Sequence, residues 1–324
     1  MMKLVAWTSP LLLGMLLSGV QLEPAWSQTP AFPTRPVEMT VPFGVGNAAD
    51  VTARYLAEGM AKSLGVAVPV VNRPGAGGAV AFTHVMQQPP DGHSVGYITT
   101  TISTSYYSGT ISFDYKAFAP VARVTVETPV LVVRADAPWR TVKEMVDDAR
   151  SNPGKFRIGN SGTGTHTHLS ASALFLGAGA NVIDVPFGGG EATLNLLGGR
   201  LEGVVQLPPA LSSHVKSGAL RPLAALGSRR DSIFPDTPTA TEAGFAVALD
   251  LWRGIVVPRG TPPGAIKKLE EAIRLTVESR EFRDAGVKIG FLPAFLPANE
   301  FGRVLADDDA KLASVMDELG LKKR

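Results

Sequence analysis

Ile158 to Leu169 reads I-G-N-S-G-T-G-T-H-T-H-L, and its composition changes twice. The apolar run of residues 156–158 enters it as a strand. A turn of Gly, Ser and Thr follows, after which Leu169, Ala173, Leu174 and Leu176 share one side of a predicted helix. Strand, small-residue turn and helix start leave backbone N–H groups without intrahelical partners, at the positive end of the helix dipole. Gly162 and Gly164 allow close backbone approach to a ligand. Ser161, Thr163 and Thr165 add hydroxyls that either donate to an anion or cap the helix. The turn reads as an anion pocket for a carboxylate; the competing reading is an ordinary capped helix.

Outward from this turn, strand and helix signals alternate. Upstream, Val37, Met39, Val41 and Phe43 alternate as in a strand. A turn at residues 44–47 leads to a helix over 50–64, with Leu56, Met60 and Leu64 at spacing four. Strands over 66–71 and 94–99 flank a short helix over 79–87, which stops at Pro89-Pro90-Asp91-Gly92. This is the beat of a mainly parallel sheet covered by helices. A β-branched run over 121–133 is interrupted by Pro129. The beat then restarts: a helix over 141–151, the quoted turn, strands over 182–187, 201–206 and 220–226, and a helix over 191–197 between the first two. A strand over 249–257 and helices over 264–278 and 299–319 close the chain.

The pattern predicts an α/β protein of two units, each with a strand ending in a Gly-rich turn that opens a helix. The first domain takes residues 36–130 and 252–324, and the second takes 131–251. Crossing segments near Val130 and Trp252 would let the cleft between them close like a hinge. Ligands of open α/β sheets sit beyond the carboxyl ends of strands and often between domains.

The chain of 324 residues starts like a secreted precursor. Met1-Met2-Lys3 is a positive n-region, residues 11–20 are mostly apolar, and Ala25-Trp26-Ser27 is a small-x-small cleavage site. Cleavage is expected after Ser27, so 1–27 is a signal peptide, 28–36 a loose Pro-rich leader, and the mature protein is periplasmic. The absence of cysteine suits an oxidising compartment, provided the core is large enough to do without disulfides. With 45% hydrophobic residues that core is available. Lys and Arg are dispersed and the net charge is +2, which excludes a nucleic-acid partner.

Catalytic and metal motifs fail on inspection. G-x-S-x-G would need Gly at Thr163, and no G-x-x-x-x-G-K-[ST] is present. His166 and His168, two apart in a helix first turn, point about 200° from each other and chelate jointly only with difficulty. One imidazole is expected to face the cleft while the other packs or meets solvent. No cofactor and no metal are expected, and the chain is not expected to be an enzyme. Asp50 suits the first turn of its helix electrostatically. Structural and ligand-facing roles for it stand about even, with Arg54 as its partner. Trp252 and Arg253 read as hinge packing.

The ordered motifs resemble the Bug or TctC-like substrate-binding proteins of tripartite tricarboxylate transporters. They are V-P-F-x-x-G-x-x-x-D-x-x-A-R from Val41, N-R-P-G-A-G-G from Asn72, P-D-G from Pro90 and S-G-x-G-T-x-x-H-L from Ser161. V-P-F from Val185, L-L-G-G from Leu196 and P-x-G-T-P from Pro258 follow. The resemblance covers nearly the whole mature chain. It implies a type II periplasmic binding protein fold of two α/β domains with a ligand cleft between them, and two Gly-rich turns that grip a carboxylate. The ligand-binding residues so expected are Phe43, Gly44, Gly46, Asn47, Asp50, Ser161, Gly162, Thr163, Gly164, Thr165, His168, Phe187, Gly188 and Gln206. Three positions depart from the family pattern. Gly46-Asn47 replaces two adjacent glycines, Phe187-Gly188-Gly189 replaces a common Tyr-Lys-Gly, and Gln206 stands where an acidic residue is common. These changes alter the distal end of the ligand, so citrate is not the expected guest. A monocarboxylate, an aromatic acid or an amide-bearing ligand stays open.

The expected function is an exported, monomeric receptor that binds a small organic acid and delivers it to the permease subunits of a tripartite tricarboxylate-type transporter. The alternatives are a sensor that docks on a two-component kinase ectodomain and, more remotely, a hydrolase.

Overall fold

Asn47 begins the first helix because its side-chain oxygen accepts the Ala49 N–H, and Gly65 ends it in the left-handed region. The computed structural model describes residues 2–4, 32–188 and 191–323. The expected cut after Ser27 and Gly189 of the Phe-Gly-Gly turn lie outside the described residues. Met1–Ala31 and Phe32–Arg324 are separate units, and the second holds both sheets.

The first stretch of this second unit runs β1 (Glu38–Val41), α1 (Ala48–Leu64), β2 (Val70–Asn72), α2 (Ala79–Met86), β3 (Ser94–Thr99), α3 (Thr101–Tyr107) and β4 (Phe118–Glu127). The middle runs β5 (Val130–Arg134), α4 (Val142–Ser151), β6 (Arg157–Asn160), α5 (His166–Gly177), β7 (Ile183–Pro186), α6 (Glu191–Leu197), β8 (Gly203–Gln206), α7 (Ser212–Lys216) and β9 (Leu220–Ala225). The chain ends with β10 (Leu251–Pro258), α8 (Pro263–Val277), α9 (Arg280–Ile289), β11 (Leu292–Pro297) and α10 (Ala298–Glu318).

The described strands form two sheets, β11-β4-β10-β3-β1-β2 and β7-β6-β8-β5-β9. The chain passes from the first to the second between β4 and β5 and returns between β9 and β10. Each sheet is mixed rather than mainly parallel. β1 pairs in parallel with β2 and β3, and β6 with β7 and β8, but β10 runs against β3 and β4, and β5 runs against β8 and β9. The strands that carry the chain between sheets enter from the opposite end, which imposes the antiparallel pairs.

Val37, Met39 and Val41 of the first sheet pack under Leu56 and Met60 of α1 and Ile273 of α8. Leu131, Ile158 and Val205 of the second pack under Met145 of α4 and Phe175 of α5. The two cores are separate, as two sheets each roofed by their own helices require.

Residues 32–36, expected to be loose, are tethered instead. Phe32 meets the His93 ring edge-on, Thr34 N–H donates to His93 Nε2, and Arg35 pairs with Asp91. The sequence pattern does not predict α3, α9 or β11; α3 is short and rich in hydroxyls, so no apolar stripe marks it. Among the described residues no helix is long and apolar enough to cross a membrane.

Candidate functional site

The Gly-rich segments 75–78 and 161–164 meet across a cavity of about 490 Å³, and the expected turn at 44–47 does not line it. One wall comes from the first sheet: Pro42 and Phe43 just beyond β1, residues 75–78 beyond β2, and Ser108 and Thr110 beyond α3. The facing wall holds Ser161, Gly162, Thr163 and Gly164 beyond β6, and Pro186, Phe187 and Gly188 at the end of β7. Every segment except the α3 corner and Lys323 beyond α10 leaves the carboxyl end of a parallel strand, where the N–H and C=O ladder has run out and loops are free to shape a pocket.

The two walls touch. Gly44 N–H donates to Gly188 O at 3.4 Å. Gly77 has φ +64, and a Cβ there would lie 2.8 Å from Thr163 O, so only glycine permits this approach. The Thr104 hydroxyl donates to Gly164 O. Behind them, His166 bridges Thr100 and the Leu249 carbonyl.

The turn at 161–165 is built differently from the simple anion cradle that its glycines suggest. Its N–H groups are mostly taken by the protein itself: Ser161 N–H by Thr167 Oγ1, Gly162 N–H by Asn160 Oδ1, Gly164 N–H by His168 Nδ1 and Thr165 N–H by Gly162 O. Thr165 is the helix cap. Its hydroxyl donates to Gly162 O at 2.7 Å and accepts the His168 N–H, and it is buried. Thr167 therefore donates to Thr165 Oγ1 across 3.1 Å. The Ser161 and Thr163 hydroxyls and the Thr163 N–H have no hydrogen-bond partner among the described residues and stand at the cavity.

Asn47 and Asp50 stand behind the first wall, and neither lines the cavity. The buried Asp50 carboxylate accepts from Gly46 N–H and Asn72 Nδ2 and pairs with Arg54 at 2.7 Å. Burial raises its pKa. The Arg54 hydrogen bond, the Gly46 and Asn72 donors and the Arg54 charge more than offset that and hold the carboxyl below its ordinary value. Asp50 thus fixes the 44–47 turn against β2. Gly44 reaches the opposite wall only through its bond to Gly188, and Gly46 spends its N–H on Asp50.

The two histidines separate as expected from their spacing. His168 lines a smaller cavity of about 180 Å³ that shares Ser108, Thr163 and Gly164 with the first. Because its Nδ1 accepts from Gly164, its Nε2 carries the proton and faces the Asp184 carboxylate at 3.6 Å. Burial raises the Asp184 carboxyl above its ordinary value, against the pull of His168 and Asn160. His166 is fully buried, and burial holds its pKa down. Only an N–H can serve the Leu249 carbonyl, so the neutral ring donates from Nε2 and accepts the Thr100 hydroxyl at Nδ1.

Gln206 is buried at the end of β8, with its Oε1 on Leu207 N–H and its Nε2 without a partner among the described residues. Among those residues, no group of three or more His or acidic side chains is placed to hold a metal ion.

Sequence reasoning missed residues 75–78, Thr104, Ser108, Thr110 and Lys323, the last also lining both cavities. A signal existed for the hydroxyls: residues 99–110 carry eight Ser or Thr immediately after a predicted strand. For Lys323 no local signal exists.

The family model described as "Tripartite tricarboxylate transporter family receptor" matches residues 52–321. The "UPF0065 protein in gbd 5'region" of Cupriavidus necator is 30% identical over 307 residues, covering 94% of each chain. Two solved Rhodopseudomonas palustris structures are similar in fold. Rpa4515 with adipate has a TM-score of 0.85 at 26% identity, over 89% of this chain and 98% of its own. MatC (Rpa3494) with bound malate has a TM-score of 0.82 at 26% identity, over 88% of this chain and 99% of its own. The shared architecture is the type II periplasmic binding protein fold.

Proposed function

Because the chain belongs to the TctC family of tripartite tricarboxylate transporter receptors, we propose that it is an exported receptor that closes two lobes over one small organic acid and delivers it to a membrane permease. The observation that carries this reading is the cavity between the Gly-rich segments 75–78 and 161–164. Its described lining offers hydroxyls, the Thr163 N–H and one ammonium, and no carboxylate. Such a lining favours an anion and repels none of its charge. Solved relatives hold adipate and malate, and a cavity of about 490 Å³ has room for an acid of that kind.

In this reading the domains are residues 36–130 with 252–324, and 131–251. Phe43, Ser161, Gly162, Thr163, Gly164, Phe187 and Gly188 touch the ligand. Gly44, Gly46, Asn47, Asp50, Thr165, His168 and Gln206 hold the walls in place. Opening at the two crossings between the sheets would admit the ligand, and closure would present a changed surface to the permease. In this reading, which follows the receptor family, the ligand is carried and released unchanged.

Calorimetry with a panel of aliphatic mono- and dicarboxylic acids tests the proposal. Binding of at least one acid is expected, with loss of affinity in Ser161→Ala. One hydrogen bond to a charged group contributes about 1.5–3 kcal/mol, which is roughly 10- to 150-fold. The Ser161 hydroxyl has no partner among the described residues, so this variant should melt with the wild type. Binding that is unchanged by Ser161→Ala would mean the acid sits elsewhere.

A further inference from the structure

A different cavity, of about 460 Å³, is lined from both sides of the crossings between the sheets. β4, β10 and α10 contribute Arg123, Trp252 and Asp308, and the part of the chain that carries the second sheet contributes His166, Ser228 and Asp250. Arg123 is the cation in this wall without a partner. A register break in β11 between Pro293 and Leu296 leaves Ala294 O outside the ladder, and Arg123 Nε donates to it at 2.9 Å. The two terminal nitrogens of the guanidinium make no hydrogen bond or ion pair among the described residues. The side chain is half-buried, and burial pushes its pKa below the ordinary value against the pull of Asp308 and Glu300, with Arg229 adding to the drop. It stays charged all the same. The two carboxylates in the wall are already served. Asp308 accepts Trp252 Nε1 at 2.6 Å and pairs with Lys311 at 3.6 Å, and Asp250 accepts the Ser228 and Thr128 hydroxyls.

We propose that this cavity is a second binding site, distinct from the cleft, for a small monocarboxylate with an apolar body. The terminal nitrogens of Arg123 form a planar fork that matches a carboxylate, and a partly desolvated guanidinium gains most from such a partner. Val126, Leu249, Trp252, Val304 and Leu312 supply apolar wall for the rest of the molecule. Asp250 and Asp308 stand in the same wall and repel a second negative charge, so one carboxylate is accepted and two are penalised. The site is not a branch of the cleft. Leu312 packs with Leu169, and the two separate this cavity from the smaller one that shares Thr163 and Gly164 with the cleft. The inference goes beyond the receptor reading and does not depend on it.

The test is calorimetry on the full chain with benzoate as the probe and Ser161→Ala as the marker of the cleft. The wild type and Ser161→Ala are expected to bind benzoate alike. Arg123→Gln should weaken it about tenfold, the loss of a charge-assisted contact. Ala248→Phe fills the cavity from an exposed lining position, so it should also weaken benzoate while the melting temperature holds. This second variant keeps the test sharp if Arg123→Gln folds poorly. Phthalate, with its added carboxylate, should bind more weakly than benzoate. A wild type that does not bind benzoate would overturn the inference, as would binding untouched by both Arg123→Gln and Ala248→Phe. Benzoate affinity that falls in Ser161→Ala instead would put the probe in the cleft, which overturns this inference and leaves the receptor reading standing.

Discussion

Arg253→Met should be among the most damaging single substitutions in the chain, although it touches no ligand. Arg253 on β10 and Glu127 at the end of β4 form a bidentate pair, with Nε to Oε1 at 2.6 Å and Nη2 to Oε2 at 3.2 Å. Both side chains are essentially sealed from water, at 1% and 0% exposure. Removing the arginine leaves a buried carboxylate with, among the described residues, only the Thr125 hydroxyl, at 3.0 Å, to serve it. Breaking a buried pair from one side costs about 3–5 kcal/mol, a large part of the roughly 5–15 kcal/mol that holds a domain folded. At roughly 2–4 °C per kcal/mol for a chain of this size, the melting temperature should fall by about 6–20 °C. The double variant Glu127→Leu with Arg253→Met should recover most of the loss. It removes both desolvation penalties, and Arg253 Nη1 already lacks a partner among the described residues, so the native pair is imperfectly satisfied. Differential scanning calorimetry on the two singles and the double closes the cycle. An Arg253→Met protein that melts with the wild type would refute the reasoning, and a double variant as unstable as the single would show that shape rather than charge governs the site.

Two further outcomes concern the region behind the cavity. His166 is held below its reference pKa of 6.5 by burial, so as pH falls through that value the unfolded chain takes a proton that the folded chain refuses. Stability is therefore full above about pH 6.5 and is lost below it, by at most about 1.4 kcal/mol per pH unit. His166→Gln, which can serve both Thr100 and Leu249, should flatten that slope in thermal melts; an equal slope would reassign it. The comparison must be made against the wild type, because Asp231, pushed up to about 6 by burial, changes stability in the opposite sense over the acid range. Thr165→Ala removes a cap and the bond to Gly162 O. It should cost about 1–2 kcal/mol and lower the melting point by roughly 2–8 °C; an unchanged melting point would contradict the capping role.

Much of this molecule is local in origin and therefore legible along the chain. The alternation of Val37, Met39 and Val41, the spacing of Leu56, Met60 and Leu64, and the small-residue turns at 44–47 and 161–165 each depend on neighbours within one or two turns. Those neighbours are present in any window of sequence. Helix α3 has no strong apolar stripe to mark it, because it is held by hydroxyl contacts to other elements. What the turn residues do was also beyond local reading. Whether Thr165 caps or binds, and whether Asp50 faces a ligand or an arginine, depends on Gly162, Asn72 and Arg54 arriving at hydrogen-bond distance. Lys323 shows the limit most clearly. Its sequence neighbours Leu321 and Lys322 carry no signal of a cavity, whose lining is contributed from both sheets. A local pattern determines which backbone shape a segment prefers; a side chain's partners are set by packing between segments far apart in the chain. That is why the strands and turns were readable in advance and the charge in the cleft was not.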